Sequence, residues 1–327
     1  MKRITYKGLA LILLLVACGP GKKEKPKTDN PPPVAEQPHR QAPPFNPDSA
    51  YYFIEKQVSF GPRIPNTAAH ARCAEWLRTE FGRYADSVHI QTAKLFTWDK
   101  KYLDAKNIQA SFAPEKSRRI LLTAHWDTRP FSDEDAMKPG STFDGADDGG
   151  SGVGVLLEIA RILKNVPLEN IGVDIVLFDA EDWGNSEIGE SYCLGSQYWA
   201  RNFSGKYKPY FGINLDMVGA AGARFCREGF STQYAAAYVN KVWNAAARSG
   251  YSSYFLMEDV PGVIDDHYYV SQLAGIPSLD IINYSRYNGS QGGFGEHWHT
   301  QKDNMQVIDK KTLQAVGTVL LDVLYNE

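Results

Sequence analysis

His125, Asp127, Asp147 and Asp148 stand close together in the chain and carry the donor atoms that hold divalent metals. His125 and Asp127 end an apolar strand, and side-chain alternation puts both on one side, so that one can bind a cation while the other orients it. Asp148 stands just ahead of a glycine-rich turn and an apolar helix, where bare backbone N–H groups favour an anion. Further on, Glu181-Asp182, Asp216 in NLDMVG, Asp265-Asp266-His267 and His297-Trp298-His299 repeat the same residue types. Mixed nitrogen and oxygen donors without cysteine suit zinc with a position left for substrate. In the adjacent pair Glu181-Asp182, one carboxylate can bind metal while its neighbour moves protons.

The elements that must position these groups can be read from periodicity. Helical spacing predicts helices over 49–58, 67–84, from about 152, 196–202, 232–249 and 310–324. Apolar runs predict strands over 88–96, 107–112, 120–123, 172–178, 210–217 and 278–282, several ending in charges. Strand, charge and helix in series argue one α/β domain with a largely parallel or mixed sheet. Such folds place ligands at the carboxyl ends of the strands.

The chain has 327 residues, 43% of them hydrophobic and 22% charged, as expected of a globular protein. Residues 46–327 hold 27 basic and 35 acidic side chains, a balance of -8 that gives no electrostatic reason to bind nucleic acid. Residues 1–17 have a basic start and the short apolar run LALILLLVA, and read as a signal peptide. Leu15-Val16-Ala17-Cys18 resembles the lipobox of bacterial lipoproteins, so Cys18 is expected to carry lipid. Residues 18–45, Lys-rich and then Pro-rich, read as a lipidated spacer ahead of a catalytic domain at 46–327. The expected location is a bacterial periplasm or cell surface, with membrane contact through the lipid alone. Cys73, Cys193 and Cys226 allow at most one disulfide, whose pairing spacing leaves open, or remain buried thiols.

In this order H-W-D, D-D-G, F-D-A-E-D, L-D-M-V-G and W-H-T resemble the zinc aminopeptidase clan, and within it the glutaminyl cyclases of the animal type, here in a bacterial form. The resemblance covers about residues 50–327. It implies a single three-layer α/β/α domain around a central mixed, largely parallel sheet. It also implies one zinc per chain, held by Asp148, Asp182 and His299, and a proton shuttle at Glu181. Asp216 and Asp265 would complete an acidic network, with Trp298 in the substrate pocket and Trp183 and His125 beside it. The implied reaction turns the N-terminal glutamine of peptides into pyroglutamate and releases ammonia.

Two departures bear on this reading. Asp182 stands where the animal enzymes have Glu, and the positions of their disulfide are Ala124 and Val153 here. In the aminopeptidases, positions matching His125 and Asp216 serve a second zinc, so a two-metal aminopeptidase is the alternative. Those enzymes usually carry Asn where this chain has Gly149. A non-catalytic binding lipoprotein is a third reading, opposed by the presence of Glu181. His39, His70, His89 and His297 read as structural, His267 as orienting Asp265 or Asp266, and Asp133-Glu134-Asp135 as a solvated loop.

Overall fold

The computed structural model describes residues 39–205, 208–289 and 292–327. The expected signal peptide, the proposed lipid site Cys18 and the linker up to residue 38 lie outside the described residues. His39–Glu327 forms one compact unit. Its packing reaches back before Asn46: Phe45 is buried, and Arg40 N–H donates to Asn326 Oδ1 at 2.7 Å.

Two helices open the unit, α1 (Pro47–Val58) and α2 (Ala68–Gly82). Asn46 caps α1 by accepting from Asp48 N and Ser49 N, and Thr67 caps α2 by accepting from His70 N. A hairpin of β1 (Ser87–Phe96) and β2 (Tyr102–Phe112) leads into β3 (Arg119–His125), α3 (Ser151–Asn165) and β4 (Gly172–Phe178). Then come α4 (Leu194–Arg201), β5 (Phe211–Asp216), β6 (Phe225–Arg227), α5 (Gly229–Arg248), β7 (Phe255–Asp259) and α6 (Asp266–Ala274). The unit ends with β8 (Ser278–Ile282), β9 (Tyr284–Ser285), β10 (Gly293–Phe294) and α7 (Lys310–Tyr325).

The main sheet runs β1-β2-β4-β3-β5-β8. The four strands from β4 to β8 in that order are parallel, and the β1–β2 hairpin adds an antiparallel edge through β2 and β4. Every residue of β3 and β4 is buried, which explains their unbroken apolar runs: both faces are covered by helices. Along β3, Ile120 and Leu122 join the core shared by α1, α3 and α7, while Leu121 packs with Trp199 of α4 and Val270 of α6 on the other face. This is the expected three-layer α/β/α arrangement.

From β3 the chain passes through α3 to β4 on one side, then through α4 to β5 on the other. The strand order therefore reverses beside β3, and the crevice this leaves at the carboxyl ends is where such sheets bind ligands.

Candidate active site

The carboxyl ends of β4, β5 and β8, the turn ahead of α3, the start of α6 and the turn after β10 converge on a cavity of about 350 Å³. Asp148, Glu181, Asp182, Asp216, Asp265, Trp298 and His299 all line it. Ile282, Val263, Phe294 and Tyr269 add apolar wall.

Each polar group is aimed by contacts that hold its backbone. Asp127, fully buried, accepts from Glu181 N at 3.1 Å and Asp182 N at 3.3 Å, so the first histidine-carboxylate motif holds the turn carrying the second. Asp303 accepts from Asp147 N at 2.7 Å and Asp148 N at 3.1 Å. Asp147 turns away, bound to Gly219 N and to His297 Nε2 at 2.7 Å, and Asp148 faces the cavity. Gly149 makes this turn possible. Its φ is +76°, and a Cβ there would lie 2.2 Å from Asp127 O. Ala180, Cys193, Met217 and His299 also have positive φ, and Ala180 and Met217 directly adjoin Glu181 and Asp216. Non-glycine residues in this region are costly, and such costs gather where function over-determines the backbone.

Asp148, Asp182 and His299 bring one donor atom each within 4.8 Å of one another. His299 Nε2 lies 3.1 Å from Asp182 Oδ1 and 3.6 Å from Asp148 Oδ2. Asp182 Oδ2 is buried with no hydrogen-bond partner among the described residues. A buried, unpaired carboxylate oxygen is costly unless something binds it, and two carboxylates with an imidazole suit a divalent metal. The residues present therefore fit one.

A second group shares Asp148. His125 Nε2 lies 3.0 Å from Asp148 Oδ1 and 3.1 Å from Asp216 Oδ1, and His125 Nδ1 is 3.5 Å from Asp127 Oδ1. Burial works against a charged His125, but Asp127, Asp148 and Asp216 outweigh it and raise its pKa well above the ordinary value. Burial likewise pushes Asp216 up to about 7, with His125 opposing and Asp148 and Asp265 adding to the rise. Glu181 is raised well above the usual carboxylate range, first by burial and then, against the pull of His125, by Asp182, Asp265 and Asp266. Cys193 Sγ donates to Glu181 Oε1 at 3.2 Å. Asp265 caps α6 through Asp266 N and accepts from Asn214 Nδ2 at 2.7 Å.

Two expected substrate contacts are not in the cavity. Trp183 packs against Leu95, Leu103 and Ala105; its Nε1 donates to Asp99 Oδ1 at 3.1 Å, and its carbonyl accepts from Trp98 Nε1 at 3.0 Å. The tip of the β1–β2 hairpin thus claims the side chain that adjacency to Glu181-Asp182 appeared to offer to substrate. His125 is buried beneath the acids and reaches Asp148 and Asp216 instead of the cavity. His267 does not orient Asp265 or Asp266: its Nε2 lies 3.1 Å from Glu228 Oε2 and its Nδ1 3.6 Å from Asp280 Oδ2.

The charge run at 133–135 is more than a solvated loop. Asp133 Oδ1 lies 3.2 Å from His299 Nδ1, and Arg129 donates to both Asp133 oxygens, at 2.8 and 2.5 Å. Burial would raise Asp133, but His299 and Arg129 together hold it well below the usual carboxylate range. Arg129 and Asp303 carried no signal in the sequence beyond being charges beside motifs. Cys73, Cys193 and Cys226 are free and buried.

Residues 107–324 match Peptidase family M28. The structure superimposes on the crystal structure of Tannerella forsythia glutaminyl cyclase with a TM-score of 0.84 and 52% identity, covering 87% of this chain and 100% of that one. Aminopeptidase YwaD of Bacillus subtilis is 30% identical over 213 residues, 63% of this chain and 40% of the relative. Glutaminyl-peptide cyclotransferase of Bos taurus is 24% identical over 247 residues, 67% of this chain and 65% of the relative. The matches thus span 40% and 65% of the lengths of these two relatives. With the motif order, the sheet and the cavity in agreement, the chain belongs to peptidase family M28 and, within it, to the bacterial glutaminyl cyclases.

Proposed function

We propose that the protein converts the N-terminal glutamine of peptides and proteins to pyroglutamate with release of ammonia. The observation that carries this is the placement, at one cavity, of a metal-fitting group beside a half-buried carboxyl with a raised proton affinity, Glu181. Similarity to a glutaminyl cyclase over the whole of that chain supports the same reading.

Asp148, Asp182 and His299 would hold a zinc ion, which when bound polarises the side-chain amide carbonyl and stabilises the charge developing on its oxygen. Glu181, as carboxylate, takes a proton from the α-amine while the amine nitrogen bonds to the side-chain carbonyl carbon. The C–N bond to the amide nitrogen then breaks, and Glu181 returns a proton to the departing ammonia. Amine and amide belong to one residue, so the site need only fold them together. Asp216 and Asp265 share Glu181's surroundings and limit how many negative charges coexist there. Trp298, stacked on His299 at 3.9 Å and facing Phe294 at 4.4 Å, walls the cavity with apolar surface.

We infer one zinc per chain. In the group of Asp148, Asp182 and His299 a carboxylate oxygen lacks a partner, whereas the Asp148 and Asp216 oxygens of the other group both lie against His125 Nε2, at 3.0 and 3.1 Å, and only the rear nitrogen of that ring is unpaired. The grouping of His125, Asp148 and Asp216 is nevertheless what a two-metal aminopeptidase would use. A short peptide beginning with Gln, incubated with zinc-loaded protein and read by mass spectrometry, separates the two. Loss of one ammonia from an intact peptide supports the cyclase; release of free glutamine overturns it.

A lipid on Cys18 would hold the enzyme at a membrane surface outside the cytoplasm, where exported proteins present new N-termini. No helix among the described residues is long and apolar enough to cross a membrane. Labelled fatty acid should enter the wild-type protein and not Cys18→Ser; equal labelling of both would refute the anchor.

A further inference from the structure

Two of the three metal-fitting residues, remote from each other in sequence, rest on one guanidinium. Arg129, buried, donates through Nη1 to the carbonyl oxygens of Asp182 at 3.0 Å and Gly184 at 3.2 Å, and Nη1 lies 3.4 Å from Asp182 Oδ1. Its Nε and Nη2 grip the two oxygens of Asp133 at 2.8 and 2.5 Å. Asp133 Oδ1 in turn meets His299 Nδ1 at 3.2 Å, while His299 Nε2 faces Asp182 and Asp148.

An ion pair with 37% of the Asp133 side chain exposed contributes little to stability by itself. Its effect is directional. An imidazole offers a lone pair at Nε2 only when its proton is on Nδ1, and a carboxylate at Nδ1 fixes both tautomer and ring plane. His299 has need of this, because its backbone lies at φ +53°, outside the regions that ordinary residues favour.

We propose that Asp133, locked by Arg129, is a positioning residue for metal binding: it sets the His299 ring so that Nε2 points to the metal, and Arg129 couples this setting to the Asp182 segment. The inference rests on the reading of Asp148, Asp182 and His299 as the metal group.

The test is zinc affinity, measured by competition with a chromophoric chelator on metal-stripped protein. Asp133→Ala should weaken zinc binding about 10- to 100-fold. Asp133→Asn, which keeps an acceptor, should lose less, and Arg129→Lys, which loses the fork, should also bind zinc more weakly. Glu134→Gln, next door and exposed, should match wild type. At limiting zinc, turnover by Asp133→Ala should fall and recover when zinc is added in excess. The melting temperature of each metal-free variant reports the fold separately. Wild-type zinc affinity in Asp133→Ala, or an affinity loss matched by a loss of fold in the metal-free protein, overturns the proposal. If wild type releases no ammonia from a Gln peptide, the cyclase reading falls while the zinc titration still decides the role of Asp133.

Discussion

Two groups of acids and imidazoles meet at Asp148, and they differ in what their buried atoms lack. On the side of Asp182 and His299, a carboxylate oxygen has no partner and the imidazole is held from behind by a carboxylate. On the side of His125 and Asp216, His125 Nε2 sits between Asp148 and Asp216, its Nδ1 has no hydrogen bond but lies 3.5 Å from Asp127, and the carboxyls of Asp216 and Glu181 have proton affinities raised above their usual range. Residue types are nearly the same in both. What separates a metal group from a proton group here is therefore the pairing around each atom, which sequence composition does not record.

The comparison breaks most visibly if one residue from each side is removed. Asp182→Ala should lose zinc and activity together. Glu181→Gln should keep zinc, checked by metal analysis, while kcat falls about 10²- to 10⁴-fold, the usual contribution of a positioned acid-base group. Normal turnover in Glu181→Gln would remove it from the mechanism.

Next in size is the turn that aims Asp148. Asp303→Ala leaves the buried N–H groups of Asp147 and Asp148 unpaired, at about 1–3 kcal/mol each. Denaturant unfolding should show this loss of stability, with weaker zinc binding.

pH sharpens the proton side. The proposed reaction uses Glu181 as carboxylate, so its raised pKa should move the acid limb of kcat/KM well above the value of about 4.3 for a free glutamate. Asp265 is among the charges that raise it, so Asp265→Asn should shift the limb to lower pH. His125 pulls the other way, and His125→Gln should shift it to higher pH. A limb that stays in place in both variants would contradict the network. The smallest effect belongs to Cys193, a weak donor: Cys193→Ala should lower kcat by roughly twofold to tenfold, equivalent to about 0.5–1.5 kcal/mol.

The fold was largely legible because its central strands are continuous apolar runs. The strands at Gly172–Phe178 and Ser278–Ile282 have the bounds that their apolar stretches mark out. The helix Asp266–Ala274 was not foreseen, since its sequence DHYYVSQLA has no clear apolar face, and the two- and three-residue strands β6, β9 and β10 are set by tertiary contacts. In the site, residues at strand ends announce themselves through charge after an apolar run, as Glu181, Asp182 and Asp216 do, and Asp148 through its place just ahead of an apolar helix. Trp183 misled because adjacency to Glu181-Asp182 says nothing about the hairpin tip that captures it. Asp133 stayed hidden for the converse reason: its partner His299 is far away in sequence, and a run of three acids looks like solvated loop.

The division into a metal group and a proton group is tested most directly by a crystal structure of zinc-loaded protein at the zinc absorption edge. One anomalous peak among Asp148, Asp182 and His299, with His125 still against Asp216, is the predicted result. A second peak of similar height among His125, Asp148 and Asp216 would contradict it and make the site a two-metal one.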